Sequence, residues 1–422
     1  MEAPNRGIYW GWYVVLGAFL ITAVNYGARY SFGVFLKPMA LEYHWSRGVV
    51  SAGMSLLTLA YGIGGIFTGR MIDRMLPRRL IRAGALLVAA GMILTLFVQS
   101  PWQFFLTYGL LGGAGSACFG MVVCNSSVGK WFIRRRGIAI GTSSIGPGAG
   151  TMILAPLAGF IVGAAGWRTG FVCLAVLTLV VGVCLSRIFM GKMKPEDYGL
   201  LPDGEKEPPK SETDWTGGPR VPLPLRAILR DSRFWILAVC YGLAVMTLLA
   251  VIVHVIPYAQ DLRIDRVAAA SAVGMIGMAS IAGRFFFGWL SDRLRDPKYA
   301  AMAGFVSMAA GMGILLAAGT AGRLFACALL FGFGYGSLST MMTLLVADRF
   351  GREGLGSALG MVNFFAAGVG GSIGPVLTGA IYDFQGTYTP AWVLHFAALV
   401  IATFLVLALK PAAGTDRCKG RA

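Results

Sequence analysis

Long hydrophobic runs recur along this chain and constrain its fold more than any other feature. A helix of about 20 apolar residues is long enough to cross the roughly 30 Å hydrocarbon core of a bilayer. Because a backbone in lipid must satisfy its own hydrogen bonds, and these runs are too long for barrel strands, each run predicts a transmembrane helix. Twelve runs lie near residues 10–36, 48–69, 81–99, 103–129, 138–163, 169–188, 233–258, 267–290, 299–318, 323–347, 355–382 and 389–409.

The charged residues indicate how these helices are oriented. Only 13% of the residues are charged, against about a quarter in an average soluble domain. The net charge of +17 would suit a nucleic-acid-binding protein, but most of the 36 Lys and Arg fall in segments that are cytoplasmic if both termini are inside. This is the positive-inside bias of membrane proteins. We therefore expect a multi-pass protein of the cell inner membrane, with both termini in the cytoplasm, the lipid bilayer as its surroundings and no nucleic-acid partner.

One constant offset relates the two halves of the chain. The segment Gly69-x-x-x-Asp73-Arg74 recurs 219 residues later as Gly288-x-x-x-Asp292-Arg293. The same offset relates Pro38 to Pro257, Gly113 to Gly332, Gly115 to Gly334, Gly137 to Gly356, Gly141 to Gly360 and Pro156 to Pro375. Since glycine and proline have special backbone roles, apolar composition alone does not explain this coincidence. The sequence predicts an all-α membrane protein of two pseudo-symmetric six-helix bundles, residues 1–188 and 233–422, joined by a cytoplasmic linker over residues 189–232.

Arg284 is the most informative polar residue, because it lies within a hydrophobic run and cannot lose its charge. A charge in this environment usually marks a ligand or ion path. Its counterpart in the repeat is Gly65, so the charge does not belong to the shared scaffold. We expect Arg284 to bind an anionic substrate, with an internal salt bridge as the alternative. Tyr335 and Asn363 could donate hydrogen bonds to the same ligand or hold helices together.

The seventh predicted transmembrane helix carries His254, Tyr258 and Asp261, and intervals of four and three residues predict that they share one face. Histidine titrates near neutrality, and a desolvated carboxylate can do so, which makes this face a candidate for proton coupling. In the alternative interpretation, Asp261 is a solvated loop residue and His254 a packing residue. Arg29 in helix 1 could pair with Asp261, attract anions or extend toward the membrane surface.

Other patterns exclude several classes of protein. Two glycine-rich stretches, 109–115 and 368–374, lie inside apolar runs without a preceding soluble strand, so they predict helix contacts and no nucleotide site. The seven cysteines are scattered without a C-x-x-C pair, which argues against a metal site or a disulfide framework. No nucleophile and base stand in a recognisable pattern. We therefore expect neither a cofactor nor an enzyme.

The loop after helix 2 resembles a signature of the major facilitator superfamily, G-x-x-x-D-R-x-G-R-R. Here Gly69, Asp73 and Arg74 are followed by Met-Leu-Pro-Arg-Arg, so that a Leu-Pro pair replaces a single glycine. The resemblance implies a substrate site between two parallel bundles and transport by alternating access. It also implies that the loop residues, including Asp73 and Asp292, are structural.

Three further places resemble the monocarboxylate transporters within that superfamily. Trp10-Gly11-Trp12 is similar to their W-G-W segment, and the run from Trp131 to Gly141 is similar to Y-F-x-K-R-R-x-L-A-x-G before helix 5. Arg284 falls where these transporters have their substrate-binding arginine on helix 8. The resemblance suggests a bacterial member of the family, related to the oxalate:formate exchangers.

Departures from the family refine the prediction. Ser280 occupies the place of the aspartate that animal members use as a proton partner, and Tyr30 the place of their helix 1 lysine. Asn363 stands where the oxalate:formate exchangers have a second cation. A single fixed cation, Arg284, favours a monoanion over a dianion.

We interpret the chain as a monomeric, proton-coupled symporter of small monocarboxylates of the lactate or pyruvate type. A proton-independent organic-anion exchanger is the main alternative, and a drug exporter is less favoured because helix interiors lack Asp and Glu. The predicted substrate-binding residues are Arg284, Tyr335, Asn363 and Tyr30. The predicted proton-coupling residues are Asp261, His254, Arg29 and Tyr258.

Overall fold

The structure is a computed structural model that describes residues 9–72, 75–132, 135–192, 194–204, 225–294, 296–350 and 355–409. Throughout these ranges the regular elements are helices. The first half comprises α1 (Trp10–Tyr30), α2 (Gly33–Tyr43), α3 (Arg47–Met71), α4 (Pro77–Leu94), α5 (Pro101–Phe104), α6 (Gly112–Cys118), α7 (Met121–Trp131), α8 (Arg136–Ser143) and α9 (Gly146–Phe189). A 3-10 turn, Thr95–Phe97, follows α4, and a π-helical segment, Phe105–Leu111, joins α5 to α6.

The second half is built in the same way. It comprises α11 (Ser232–Asp261), α12 (Arg266–Arg293), α13 (Pro297–Leu316), α14 (Ala321–Phe350), α15 (Leu355–Asn363), α16 (Gly371–Gln385) and α17 (Thr389–Leu407). A π-helical segment, Phe364–Gly370, joins α15 to α16. Between the halves, the described parts of the predicted linker form 3-10 turns at Pro195–Tyr198 and Pro202–Gly204 and the short helix α10 (Leu225–Arg230).

Eleven stretches of the described chain are long and apolar enough to cross a bilayer. The longest, Ile138–Phe189, has 52 residues, and a straight helix of that length would be about 78 Å long, more than twice the hydrocarbon core. Gly166 interrupts it with φ 82° and ψ 167°, which separates two spans. The total then equals the twelve predicted spans. The chain is an integral membrane protein with the predicted all-helical architecture.

Helix contacts repeat with the offset found in the sequence. A Cβ atom on Gly113 would lie 2.5 Å from the carbonyl oxygen of Leu57, and one on Gly332 would lie 2.5 Å from that of Ile276. Both members of the first contact are 219 residues before those of the second. The two glycines are needed because any side chain there would overlap a neighbouring backbone.

The helix starts follow the same repeat. Ser46 accepts a hydrogen bond from the Val49 amide at the start of α3, and Asp265 accepts from the Val267 amide at the start of α12. Side-chain oxygens at this position satisfy amides that the first helical turn leaves without partners. Since Ser46 and Asp265 are also 219 residues apart, the same boundary is encoded twice.

Two glycine-lined seams are among the contacts that join the halves. Along one, Gly148 of α9 faces Gly277 of α12, and a Cβ on either glycine would lie within 3 Å of the other residue's carbonyl oxygen. Along the other, Gly62 of α3 faces Gly368, where a Cβ on Gly62 would lie 2.7 Å from the Gly368 Cα. Small residues at these crossings let backbones from opposite halves come close.

The predicted loop motif is described only in part. Asp73, Arg74 and the side chain of Asp292 lie outside the described residues, as do the surroundings of Gly69. Gly288 faces open space, and the Arg293 guanidinium lies 4.2 Å from the centre of the Trp289 ring. The structural role predicted for Gly69, Asp73, Arg74 and Asp292 stays a prediction.

Candidate functional site

Arg284 is held at a close crossing of α12 and α14. A Cβ on Gly336 would lie 2.7 Å from the Arg284 amide nitrogen, and a Cβ on Gly283 would overlap the carbonyl of Phe333. Because these backbones are in contact, the position of Arg284 along the crossing is fixed. The sequence supplies a glycine on each side of the crossing for this purpose.

The Arg284 guanidinium has unused hydrogen-bonding capacity. Its Nε and Nη1 atoms are buried and find no hydrogen-bond partner among the described residues, while the residue as a whole remains partly exposed. A buried arginine cannot relieve this cost by losing its proton. The arrangement therefore suits an anion that offers two oxygen acceptors, such as a carboxylate. Nothing in the described chain supports the alternative of an internal salt bridge at Arg284.

Tyr335 and Tyr30 meet across the boundary between the halves. Tyr335 lies within the Arg284 crossing on α14, between Phe333 and Gly336, and its phenol interacts with that of Tyr30 at the end of α1. Tyr30 in turn packs edge to face against Tyr26, with ring centres 5.5 Å apart. Two of the predicted substrate residues, one from each half, are thus in contact.

Asn363 is the last residue of α15 and directly precedes the π-helical segment Phe364–Gly370. It is partly buried. Wide helical turns of this kind occur frequently at functional sites, because the extra residue disturbs the regular backbone bonding. The placement is consistent with a ligand role for Asn363, which stays a prediction.

Arg29 does not form the predicted ion pair with Asp261. Its Nη2 donates to Thr58 Oγ1 at 2.7 Å, and its guanidinium lies 4.8 Å from the centre of the Tyr61 ring. It is 6% exposed and does not contact Asp261. The proposed Arg29–Asp261 pair is therefore wrong, because each residue has its partners elsewhere.

Asp261 instead ties the two halves together at one end of the molecule. Arg47, at the start of α3, donates from Nη1 to Asp261 Oδ2 at 2.6 Å and from Nη2 to Oδ1 at 2.9 Å. Lys37 donates to Oδ1 at 2.9 Å. In return, Asp383 of the second half accepts from the amides of Arg47 at 2.9 Å and Gly48 at 2.7 Å. We call Lys37, Arg47, Asp261 and Asp383 the latch.

The latch lies at the end that the charge distribution predicts to be external, which we call the outer end. Among the described residues, every hydrogen bond between the halves lies at the latch or within a few helical turns of it. The deepest, from the Val376 amide to Ser55 Oγ, is 3.2 Å long. The structure therefore shows a conformation in which the outer end is closed.

His254 is linked to the latch through Tyr388. His254 Nε2 lies 2.9 Å from the carbonyl oxygen of Pro375, which can only accept, so Nε2 must carry the hydrogen. His254 Nδ1 then accepts from the Tyr388 hydroxyl at 3.1 Å, and that hydroxyl accepts from Arg47 Nη1 at 2.9 Å. Ser51 Oγ also lies 3.0 Å from Nε2. These contacts saturate a neutral imidazole.

Tyr388 keeps its proton in this arrangement. It lies in the turn between α16 and α17, and burial raises the pKa of its phenol. A neutral phenol can accept from Arg47 while it donates to His254, which is the role that the geometry requires.

Tyr258 contacts the His254 network through its ring but not through its hydroxyl. That ring packs edge to face against Tyr388 with centres 5.8 Å apart. The Tyr258 hydroxyl points elsewhere, and donates to the carbonyl oxygens of Leu315 and Ala318, each at 3.2 Å. The predicted group of four proton-coupling residues is thus divided: His254 and Asp261 share one network, whereas Tyr258 and Arg29 bond outside it.

Sequence reasoning missed Arg47, Asp383 and Tyr388 as site residues. A signal for the latch was present, because Glu42 and Arg47 recur at the offset of 219 as Asp261 and Arg266. An acid at the end of one span and an arginine at the start of the next thus occur in both halves. No comparable signal marks Asp383 or Tyr388, whose roles depend on how the halves pack.

A helical membrane protein with two similar halves that are closed at one end, and with an arginine whose Nε and Nη1 find no partner among the described residues, has the design of a secondary transporter. The Major Facilitator Superfamily model matches residues 18–375, and the chain belongs to this superfamily. It is a transporter and not an enzyme.

Within the superfamily, the chain is similar to monocarboxylate transporters along nearly its whole length. It is 26% identical to monocarboxylate transporter 13 of Rattus norvegicus over 97% of this chain and 90% of that protein. It is 28% identical to monocarboxylate transporter 12 of Rattus norvegicus over 96% of this chain and 85% of that protein.

Solved structures share the fold. The nucleoside transporter NupG superposes with a TM-score of 0.74 at 13% identity, over 95% of this chain and all of that chain. A bacterial homolog of the human lysosomal transporter Spinster, in an inward-facing and unoccupied conformation, superposes with a TM-score of 0.71 at 14% identity, over 96% of each chain.

Proposed function

We propose that this protein transports small monocarboxylates of the lactate or pyruvate type and that Arg284 binds the carboxylate. The observation that carries the proposal is that the Nε and Nη1 atoms of Arg284 are buried without a hydrogen-bond partner among the described residues. A carboxylate offers two acceptors in the plane that a guanidinium fork matches. The similarity to monocarboxylate transporters supports the same class of substrate.

We propose that Tyr335, Tyr30 and Asn363 complete a site for a small substrate with one charge. Tyr335 and Tyr30 bring hydroxyl groups from both halves, and Asn363 adds an amide, so a keto or hydroxy group beside the carboxylate would find hydrogen-bond partners. Two further arginines of the described chain are buried, but Arg29 donates to Thr58 in the first half and Arg349 pairs with Asp296. Arg284 is then the cation that we assign to the substrate, which favours a monoanion.

We propose alternating access as the transport mechanism. The two halves move against each other, and the latch holds the outer end closed in the conformation described above. Opening that end requires Asp261 to leave Arg47 and Lys37, and Asp383 to leave the first turn of α3. The cost of breaking these contacts sets the balance between the two open states.

Proton-coupled symport is the transport mode that we propose. Moving one anion with one proton is electrically silent and avoids work of about 2.3 kcal/mol per charge per 100 mV. One observation favours the alternative of anion exchange. His254 and Asp261, the two titratable candidates in one network, both have their hydrogen-bonding groups engaged, and two cations at Asp261 favour its ionised form.

Uptake into proteoliposomes tests the proposal. Labelled lactate, pyruvate, acetate and oxalate would be offered with and without a pH gradient, acid outside, and with and without unlabelled anion inside. We expect saturable monocarboxylate uptake that the pH gradient drives into accumulation. Uptake that ignores the gradient but requires internal anion would establish exchange. Absence of monocarboxylate transport in every condition, from vesicles with folded protein, would refute the proposed substrate.

A further inference from the structure

Arg29 is a buried charge that the proposed transport site does not use. It is 6% exposed, and its Nε has no hydrogen-bond partner among the described residues. The sequence contains one acid, Glu42, between residues 9 and 72, and none between residues 75 and 190. Glu42 is committed elsewhere, because it accepts from Trp167 and pairs with Arg168 at 2.5 Å. The positive charge of Arg29 therefore lacks a protein counter-charge in the described first half.

A small cavity lies beside Arg29. All the residues that line it belong to the first half, so it is separate from the boundary where Tyr30 meets Tyr335. Polar side chains, including Arg29 and Thr178, line one part of the cavity, and apolar side chains such as Leu57 and Val88 line the rest. Thr178 is completely buried, and its hydroxyl has no hydrogen-bond partner within the described ranges either. Two residues with such donor atoms thus line one cavity.

The size of the cavity limits what it could hold. The cavity has a volume of about 10 Å³, counted as the space open to the centre of a water molecule, which corresponds to a single small occupant. A carboxylate with its carbon chain does not fit. Water would satisfy the hydrogen bonds but would leave the charge of Arg29 uncompensated. Guanidinium and hydroxyl donors beside apolar walls suit a monatomic anion, which needs donors and supplies the missing charge.

We propose that Arg29 and Thr178 form a halide site inside the first half, distinct from the substrate site at Arg284. The bound anion accepts from Arg29 Nε and Thr178 Oγ1 and links α1 to the final span of that half. The site stabilises the bundle and requires no step of transport. It makes the stability of the protein depend on chloride.

Thermal unfolding of the purified protein in detergent tests this site. Tryptophan fluorescence would follow the midpoint while chloride replaces gluconate at constant ionic strength. We expect a saturable rise of the midpoint with chloride and with bromide, since an anion that binds only the folded state stabilises it. Arg29→Gln should abolish the rise. Thr178→Val should require about tenfold more chloride, as expected for loss of one hydrogen bond to an ion.

Two controls separate this site from other effects. Thr151→Val removes a buried hydroxyl that bonds to Pro147 of its own helix, and should keep the chloride response. Arg284→Gln should keep it as well. A midpoint that does not depend on chloride in the wild type would mean that the cavity holds water only. Loss of the response in Arg284→Gln but not in Arg29→Gln would place the anion at the substrate site and overturn the proposal.

Discussion

Arg47 and Asp261 form a two-armed ion pair that joins the halves of the protein at the outer end, with nitrogen–oxygen distances of 2.6 Å and 2.9 Å. The Arg47 side chain is 12% exposed and that of Asp261 is 28% exposed. Partial burial and parallel hydrogen bonds make such a pair stronger than a solvated surface pair. The halves cannot separate at this end while the pair persists.

The first prediction concerns this pair. Asp261→Asn and Arg47→Gln should each shift the protein toward a conformation open at the outer end. A reporter cysteine at Ser55, which is 7% exposed, would be placed in a background without the native cysteines. We expect a polar thiol reagent added from outside to label it roughly fivefold faster, the change in population that about 1 kcal/mol produces.

The ion pair between Arg168 and Glu42 supplies the matched control. It lies at the same end but within the first half, and its side chains are 48% and 41% exposed. Glu42→Gln should leave the labelling of the Ser55→Cys reporter unchanged. Equal acceleration by Glu42→Gln and Asp261→Asn would show that loss of any charge at this end loosens the fold, and that the latch has no special role.

The second prediction uses the repeated glycine contacts. Gly113→Ala and Gly332→Ala should both lower the thermal unfolding midpoint, because each Cβ would lie 2.5 Å from a carbonyl oxygen. Overpacking of this kind costs about 1–3 kcal/mol. Gly141→Ala and Gly360→Ala are the controls, since they are related by the same offset but have nothing within 4 Å. These should be neutral or stabilising by up to about 1 kcal/mol. Similar losses in all four would show that the close contacts of Gly113 and Gly332 are not what destabilises the variants.

Much of this fold could be predicted from the sequence because its causes are local. The length of the apolar runs determines the spans, and Gly166 lies between the two runs that the structure separates. The charge of Arg284 within an apolar helix was visible without coordinates. Its lack of a partner required the structure, since a salt bridge was equally compatible with the sequence.

The latch could not be predicted because it depends on long-range packing. Asp261 could have paired with Arg29 by charge alone, yet Arg29 points to Thr58 and Arg47 reaches Asp261 from another helix. The direction of the Tyr258 hydroxyl likewise depends on where the last turn of α13 places the carbonyl oxygen of Leu315. Periodicity placed these residues on the expected helices, but side-chain rotamers and the docking of the halves decide which groups meet.

The third prediction concerns the proton. At least one of Asp261→Asn and His254→Gln should abolish accumulation driven by a pH gradient, acid outside, and leave counterflow largely intact. Counterflow needs only the loaded carrier to reorient, so it separates coupling from binding. Tyr258→Phe is the control and should remain coupled, because its hydroxyl bonds outside the network. Full pH-driven accumulation in both test variants would exclude these two residues as proton sites.

The fourth prediction concerns selectivity. Asn363→Lys adds a second cation to the proposed site and should strengthen competition by oxalate relative to lactate. Two fixed cations offset two carboxylates, whereas Arg284 alone offsets one. Asn363→Gln keeps the amide and serves as the control. If the wild-type protein already binds oxalate more tightly than lactate, Arg284 is not the single cation of the substrate site.

The binding affinity of Arg284 variants for lactate tests whether Arg284 binds the substrate carboxylate. Calorimetry in detergent would compare the wild type with Arg284→Lys and Arg284→Gln. Arg323→Gln is the control, because Arg323 is exposed and lies in the same half. Hydrogen bonds to charged groups contribute about 1.5–3 kcal/mol each, so loss of two in Arg284→Gln should weaken binding roughly a hundredfold or more. Arg284→Lys should also bind weakly, because it keeps the charge but not the planar fork. Arg323→Gln should bind normally. Wild-type affinity in folded Arg284→Gln would contradict the assignment of the substrate site.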